Sequence, residues 1–433
     1  MHSNYCAIDF GTSNSAIAIP KVGGEPGQTQ LVELEPGHLT MPTAVFYKTD
    51  GRDDADGPPR AYGRAAVAAY VEGADGRLMR SMKSILGSGL AEQSTDVGGG
   101  RAVKYADIVA GYLKQLKYRA QKALGQDIHR VVLGRPVFFV DADEPRDELA
   151  QRTLQAAAEA VGFKEVHFQY EPIAAAFDYE RQTVREEIVL VADIGGGTSD
   201  FSLVRVGPQH RARLDRRSDI LASHGVHIAG TDFDRHIELA SILREFGYRA
   251  LGPSIAGSTP REVPSAVYFD LATWHLINTV YTPARVAELR AMKSYYGEPK
   301  HHERLMTVLT ECLGHELAAR AEEAKINVSG GSDTVIDLTL IERDLQVPLS
   351  ESTARKAIDA DMRRIVMTAR DTVQLAGLQM QDINALYFTG GSTGLRVLAE
   401  RIAAEFPQAK AVRGDRFASV ATGLGIHAAH LYG

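Results

Sequence analysis

Tyr5-Cys6-Ala7-Ile8-Asp9-Phe10-Gly11-Thr12-Ser13-Asn14-Ser15 and, about 180 residues later, Val189-Leu190-Val191-Ala192-Asp193-Ile194-Gly195-Gly196-Gly197-Thr198-Ser199-Asp200 share one order of residue types. Each is a short apolar run ending in aspartate, then one apolar residue, then glycine and hydroxyl residues. After each turn the chain resumes as a strand, Ala16-Ile17-Ala18-Ile19 in one case and Phe201-Ser202-Leu203-Val204 in the other. Such a unit is a hairpin whose tip is lined with backbone N–H groups and hydroxyls. Glycine lets the backbone approach an anion closely, and successive N–H groups form an anion-binding concavity. An aspartate at the strand end cannot sit against a phosphate unaided, so it implies a bridging Mg²⁺. Two such hairpins imply two similar halves closing on one nucleotide.

The remaining composition narrows the field. A chain of 433 residues with 44% apolar content can bury at least two cores. Its net charge of -7 gives no basic footprint, so nucleic acid is not an expected partner. Cys6 and Cys312 are too few and too far apart for a disulfide framework or a thiolate zinc site, which fits a reducing cytoplasm. Met1-His2-Ser3-Asn4 has no basic region leading into an apolar stretch, and no run of eighteen apolar residues follows anywhere. Neither a secretion signal nor a membrane span is expected.

Along the chain, apolar patterning predicts strands at 5–10, 15–21, 43–48 and 131–134 and helices at 63–72, 104–124 and 145–161. Ile108, Val109, Tyr112, Leu113 and Leu116 form one stripe of the second helix, a packing face. Residues 50–59, rich in Gly, Asp and Pro, read as a surface loop. The first half ends near 185 with a crossing helix. A second half, 186–433, restarts with the strand Ile188–Asp193. It carries a mostly helical inserted lobe at about 247–325. The sheet returns at Ile336–Leu340 and Ala385–Thr389, helices are predicted from Leu395 to Phe406 and from Ser419 to His430, and no further domain is expected.

Leu386-Tyr387-Phe388-Thr389-Gly390-Gly391-Ser392-Thr393 is a third strand ending in glycines, suited to the sugar and α-phosphate end of a nucleotide. No Gly-Lys pair occurs, which excludes a P-loop, and no G-x-G-x-x-G opens a helix after a strand, which argues against a Rossmann site. His301-His302 lacks partners at ligand spacing and reads as packed or solvated. Trp274, with Tyr268, Phe269 and Tyr281 nearby, reads as lobe core rather than a partner surface. Arg211, Arg213, Arg216 and Arg217 read as a hairpin face in water.

The two hairpins resemble the phosphate motifs of the actin-like ATPase superfamily, and in detail the nucleotide-binding domain of DnaK-type, seventy-kilodalton heat-shock chaperones. Gln169-Tyr170-Glu171-Pro172-Ile173-Ala174-Ala175-Ala176, His227-Ile228-Ala229-Gly230-Thr231-Asp232-Phe233-Asp234, Glu322-Glu323-Ala324-Lys325 with Ser329, and Gly390-Gly391-Ser392 match in family order over nearly the whole chain. A short form without a peptide-binding domain resembles the YegD-like subgroup. The resemblance implies an α/β, actin-like ATPase fold of two ribonuclease-H-like halves around a cleft, each with a smaller lobe.

It also implies roles. Asp9 and Asp193 would hold the water shell of Mg²⁺, with Glu171 approaching the same metal. Gly11, Thr12, Ser13, Asn14, Gly195, Gly196, Gly197 and Thr198 would hold the phosphates of ATP or ADP, and Asp200 would orient the attacking water. Lys83, in Arg80-Ser81-Met82-Lys83-Ser84-Ile85-Leu86-Gly87, falls where the family has its catalytic lysine, which would counter charge on the γ-phosphoryl oxygens. Gly230 would close over the phosphates; Glu322, Lys325 and Ser329 would meet ribose and adenine, and Gly390, Gly391 and Ser392 the nucleoside side. The implied activity is slow ATP hydrolysis coupled to cleft closure and to an unidentified protein client. A nucleotide-switched scaffold or filament, a small-molecule kinase and a binding module that has lost hydrolysis are the rival readings.

Three departures modify this. The positions matching the family's adenine-clamping arginines are Ile326 and Gly394. Each lost cation–π stack is worth roughly 0.5–1 kcal/mol, so micromolar ATP affinity and relaxed base preference are expected. The relay through Pro136 and a following arginine meets Gln151, with Arg152 one residue late and so about 100° around the helix. Without a client domain, peptide clamping within one chain is not expected.

Overall fold

The computed structural model describes residues 4–433 apart from 26, 54–56, 88–90, 141–142, 255–258 and 415–417. The N-terminal reading at 1–3 and the middle of the predicted 50–59 loop therefore lie outside the described residues.

Two sheets carry the fold. The first is built from β1 (Tyr5–Phe10), β2 (Asn14–Pro20), β3 (Thr29–Leu31) and β4 (Thr40–Pro42), then later segments. Next come β5 (Ala44–Lys48), β6 (Arg60–Tyr62), α1 (Gly63–Val71) and β7 (Gly76–Arg80), in which α1 covers a three-stranded sheet ordered β6-β5-β7. A hairpin of β8 (Ser94–Gly98) and β9 (Arg101–Lys104) leads into α2 (Tyr105–Leu124). The predicted stripe of α2 is buried, and Gly125 at φ 73° ends it in the left-handed conformation that glycine adopts freely. β10 (Arg130–Arg135), α3 (Glu144–Ala160), β11 (Glu165–Tyr170) and the crossing helix α4 (Glu171–Glu180) complete this part.

The second sheet starts with β12 (Glu187–Ile194), β13 (Ser199–Val206) and β14 (Ile220–Val226). After α5 (Gly230–Ala240) come α6 (Ala266–Leu271), α7 (Pro283–Ala291), α8 (Pro299–Thr310) and α9 (Gly314–Ser329), so helices dominate from Ala266 to Ser329. β15 (Thr334–Asp337), β16 (Gln346–Leu349), α10 (Glu351–Leu375), β17 (Ala385–Thr389), α11 (Arg396–Glu405), β18 (Lys410–Arg413) and α12 (Ser419–Tyr432) follow.

The sheets share one plan. Their orders are β3-β2-β1-β10-β11 and β14-β13-β12-β17-β18. In each, three antiparallel strands form a meander, and two parallel strands extend it past the first. The interior strands are buried on both faces and read as continuous apolar runs. Between the sheets lie α4 and α12, which pack on each other. α12 also contacts β1, β2 and β10, while α4 also contacts β12 and β13. Contact is close: a Cβ on Gly423 would stand 1.9 Å from the Ala174 carbonyl oxygen. This is the mixed α/β architecture of the actin-like ATPases.

Two expectations need correction. The strand foreseen at Ile336–Leu340 is β15 and stops at Asp337, because the chain turns there and Leu338 N–H donates to Leu345 O at 3.0 Å. The buried Leu338 and the alternation around it mimic a longer strand. The arginine cluster is not a solvated face. Arg213 and Arg217 are exposed, but Arg211 donates to the carbonyls of Glu180 and Thr183, and Arg216 is 1% exposed. The Arg216 guanidinium bonds both oxygens of Glu180 at 2.8 and 3.0 Å, pairs with Asp219, and lies over the Phe177 ring. A charge this deep persists only when paired. Glu180 sits 36 positions away, beyond any local pattern.

Arg216→Ala strands two buried carboxylates and should cost about 3–5 kcal/mol. Urea unfolding measures it, and a loss below about 1 kcal/mol, the ceiling typical of exposed pairs, contradicts the buried network.

Candidate active site

Both hairpin aspartates occupy the same place in their turns. Asp9 pairs with Ala16 one step before the Phe10–Ser15 end of the ladder, and Asp193 pairs with Asp200 one step before Ile194–Ser199. Gly11 is required by space, since a Cβ there would fall 2.2 Å from the Asn14 carbonyl oxygen. Thr43 pins this first tip: its hydroxyl donates to Gly11 O at 2.8 Å and its N–H to Ser13 O at 2.9 Å. In the second tip Gly195 N–H donates to Thr198 O at 3.0 Å, and the Thr198 hydroxyl to Asp200 at 2.8 Å. The tips face one another. Ser13 Oγ lies 3.2 Å from where a Cβ on Gly196 would be.

Glu171 enters between them as the first residue of α4, and its Oε1 is 2.5 Å from Lys83 Nζ. Lys83 is buried, on a helical turn anchored by the buried Met82 and Leu86. Burial, then repulsion from Glu171 and Asp193, pushes the Asp9 carboxyl up to about 8 against the pull of Lys83. Burial, then Asp200 and Glu171, pushes Asp193 up to about 7. These crowded, acceptor-only groups have a deficit of positive charge that a cation would fill. Among the described residues no three His, Cys, Asp or Glu side chains converge closely enough to ligate an ion directly. That donor set fits Mg²⁺ held through water and phosphate, its usual manner.

The third wall rings the second hairpin. Gly230 N–H donates to Gly195 O at 3.3 Å, Thr231 donates twice to Gly196 O, and the Ser392 hydroxyl donates to Gly195 O at 2.6 Å. Gly390, at φ 86°, lets its turn close on Asp193, where a Cβ would be 2.6 Å from Oδ1. Lys325 Nζ reaches Asp234 at 2.7 Å and Gly230 O at 3.4 Å. Ser329 lies one turn further along α9, whereas Glu322 is exposed and acts on Asp234 through its charge. The fold thus gathers Asp9, Lys83, Glu171, Asp193 and Asp200 around two facing tips, with Gly230 and Gly390–Ser392 beside them. Sequence reasoning missed Thr43, which has no spacing cue to its partner 32 positions away. It also left out Asp234 as a group holding Lys325, although Asp234 closes the motif at 227–234.

Ile326 is 60% exposed, as a base-facing or solvent-facing position would be. Gln151 accepts from the Arg135 guanidinium, which also donates to Pro136 O at 3.0 Å, while Arg152 is turned outward toward Glu148. Trp274 corrects the lobe-core expectation. Tyr268 is buried in that core, but the Trp274 ring packs on Tyr70 of α1 at 4.9 Å, with the Arg80 guanidinium 4.4 Å above it. Asn278 donates to Tyr70 O at 3.3 Å beside it. The chain's one tryptophan therefore joins the inserted lobe to the lobe of α1 and β7.

A family model described as Hsp70 protein matches residues 89–249. The chaperone protein HscA homolog of Aromatoleum aromaticum is 25% identical over an alignment of 449 residues that takes in all of this chain and 59% of that protein. With the shared-plan sheets, these make the chain similar to Hsp70-type proteins. The chain spans 59% of the length of that relative. No helix among its described residues is long and apolar enough to cross a membrane.

The raised carboxyls carry a signed pH dependence. Between the ordinary aspartate value near 4 and about 8, the folded chain keeps protons that the unfolded chain has released. Stability from this source is therefore lost as pH rises through that window. In Mg²⁺-free thermal melts, Asp9→Asn should gain on the parent between pH 5 and pH 8. A difference that stays constant or shrinks contradicts the crowded-carboxylate site.

Proposed function

We propose that the chain binds ATP or ADP with Mg²⁺ between its two hairpins and hydrolyses ATP slowly. Closure of the halves, 1–185 and 186–433, would be the output, read by a protein client. The observation that carries this reading is the facing of the Ser13 and Gly196 tips above Asp9, Glu171, Asp193 and Lys83. Backbone N–H groups and hydroxyls of Gly11–Asn14 and Gly195–Thr198 would bind the β- and γ-phosphates. Mg²⁺, when bound, would neutralise and bridge phosphate oxygens, with Asp9 and Asp193 holding its waters and Glu171 alongside.

Lys83 would bring its charge to the γ-phosphoryl oxygens as the bond to ADP breaks, while Glu171 fixes its position. Asp200, held by the Thr198 hydroxyl, would orient the water that attacks phosphorus. Gly230 and Ser392, bonded to the second tip, would keep it shaped for the phosphates. Lys325 and Ser329 would face the nucleoside. Two isolated cysteines and the absence of a basic footprint support a cytoplasmic protein acting on proteins rather than nucleic acid.

One feature favours a second reading. A pocket open to solvent lies against Asp200, with Ser202 and His224 on its wall. In a small-molecule kinase such a space would seat a hydroxyl acceptor, whereas a hydrolase releases phosphate with no acceptor present.

Lys83→Ala separates binding from chemistry. Removing a group that acts on developing charge should lower single-turnover hydrolysis about 10²–10³-fold. Nucleotide should still alter Trp274 fluorescence, because the tips remain. Unchanged turnover would remove Lys83 from the mechanism.

A further inference from the structure

We infer that Trp274 is a positioning residue for Lys83, holding the lysine from the opposite half of the molecule through Arg80. The inference rests on the nucleotide reading above, in which Lys83 acts on the γ-phosphoryl oxygens. It begins from two facts about Arg80. Its guanidinium lies 4.4 Å from the centre of the Trp274 ring, and it stands three residues before Lys83.

Arg80 ends β7, where it pairs with Ala44 at the start of β5. Thr43, the residue before Ala44, is the one that pins the first hairpin tip at Gly11 and Ser13. Beyond Arg80 the chain turns at once. Ser81 holds φ 53°, in the left-handed region that residues with a side chain seldom adopt, and Met82 starts the helical turn that carries Lys83. Such a conformation persists where the surroundings fix the chain on both sides of it. After Ser81, the buried Met82 and Leu86 hold the helical turn. Before Ser81, the strand pairing holds the Arg80 backbone and the Trp274 ring holds its side chain.

Trp274 is itself braced. Its ring packs on Tyr70 at 4.9 Å and meets the buried His315 ring at 5.1 Å. Asn278 donates through its amide to Tyr70 O at 3.3 Å, which leaves its Oδ1 to accept from His315 Nε2 at 3.0 Å. An indole is the best aromatic partner for a guanidinium. Because this pair spans the two halves, movement of one half on the other acts on Arg80, and through the Ser81 turn on Lys83.

Single-turnover hydrolysis at saturating Mg²⁺-ATP, with Mg²⁺-ADP affinity measured by calorimetry, tests this on the full chain. Trp274→Ala, which removes an aromatic and a cation–π pair, should lower the rate about five- to fiftyfold. Arg80→Ala, which removes the cation alone, should lower it about two- to fivefold. In both, ADP affinity should change less than the rate, as for groups that serve the transition state. Trp274→Phe keeps a ring over Arg80 and should recover most of the rate. In a Lys83→Ala background neither substitution should lower the residual rate further, since a positioning residue acts only through the group it positions. Unchanged rates in both variants, or an equal loss with and without Lys83, overturn the inference and leave the phosphate site standing. So does an affinity that falls more than the rate, or a parent that binds ATP without hydrolysing it. A parent that binds no nucleotide overturns this inference together with the nucleotide reading.

Discussion

The close crossing of α4 and α12 is the constraint on which the rest of the molecule depends. Ala174 and Gly423 meet with no room for a further carbon, and the two helices fill the space between two sheets of the same plan. Each helix touches strands that carry a hairpin, so the crossing sets where β1 and β12 point. Because α4 begins at Glu171, the same contact delivers a carboxylate between the tips. The apolar surface of α4 and α12 and the charge at the start of α4 are thus one structural decision. The buried Arg216 ties the other end of α4 through Glu180 and so holds the helix along its length.

Around that frame the site is built from unfavourable electrostatics. Three half-buried carboxylates crowd around one lysine, and burial together with their mutual repulsion raises Asp9 and Asp193. A site of this kind is poised to take up positive charge, which is how perturbed groups concentrate where chemistry occurs. At the far end of the inserted lobe, Trp274, Tyr70 and Arg80 join elements that belong to opposite sides of the cleft. Closure over a ligand would have to rearrange or tighten that contact.

Much of this was legible in the residues. The hairpins announced themselves by an aspartate followed by glycine and hydroxyls, a pattern set by local backbone demands such as the one at Gly11. Helices α1, α2 and α3 and the strands β1, β5, β12 and β17 followed from their apolar periods. What escaped was set by distant partners. Arg216 looks like any loop arginine until Glu180 and Asp219 are beside it, and Trp274 looks like core until Tyr70 is across from it. The long helix α10 and strand β11 went unplaced, since both mix polar and apolar residues over most of their length.

The central claim is that both hairpins grip one nucleotide through a shared cation. Titration calorimetry of the full chain with ADP, with and without Mg²⁺, tests it most directly. One site per chain with micromolar affinity that depends on Mg²⁺ is the predicted result. Binding of equal strength without the metal, or none at all, would contradict it.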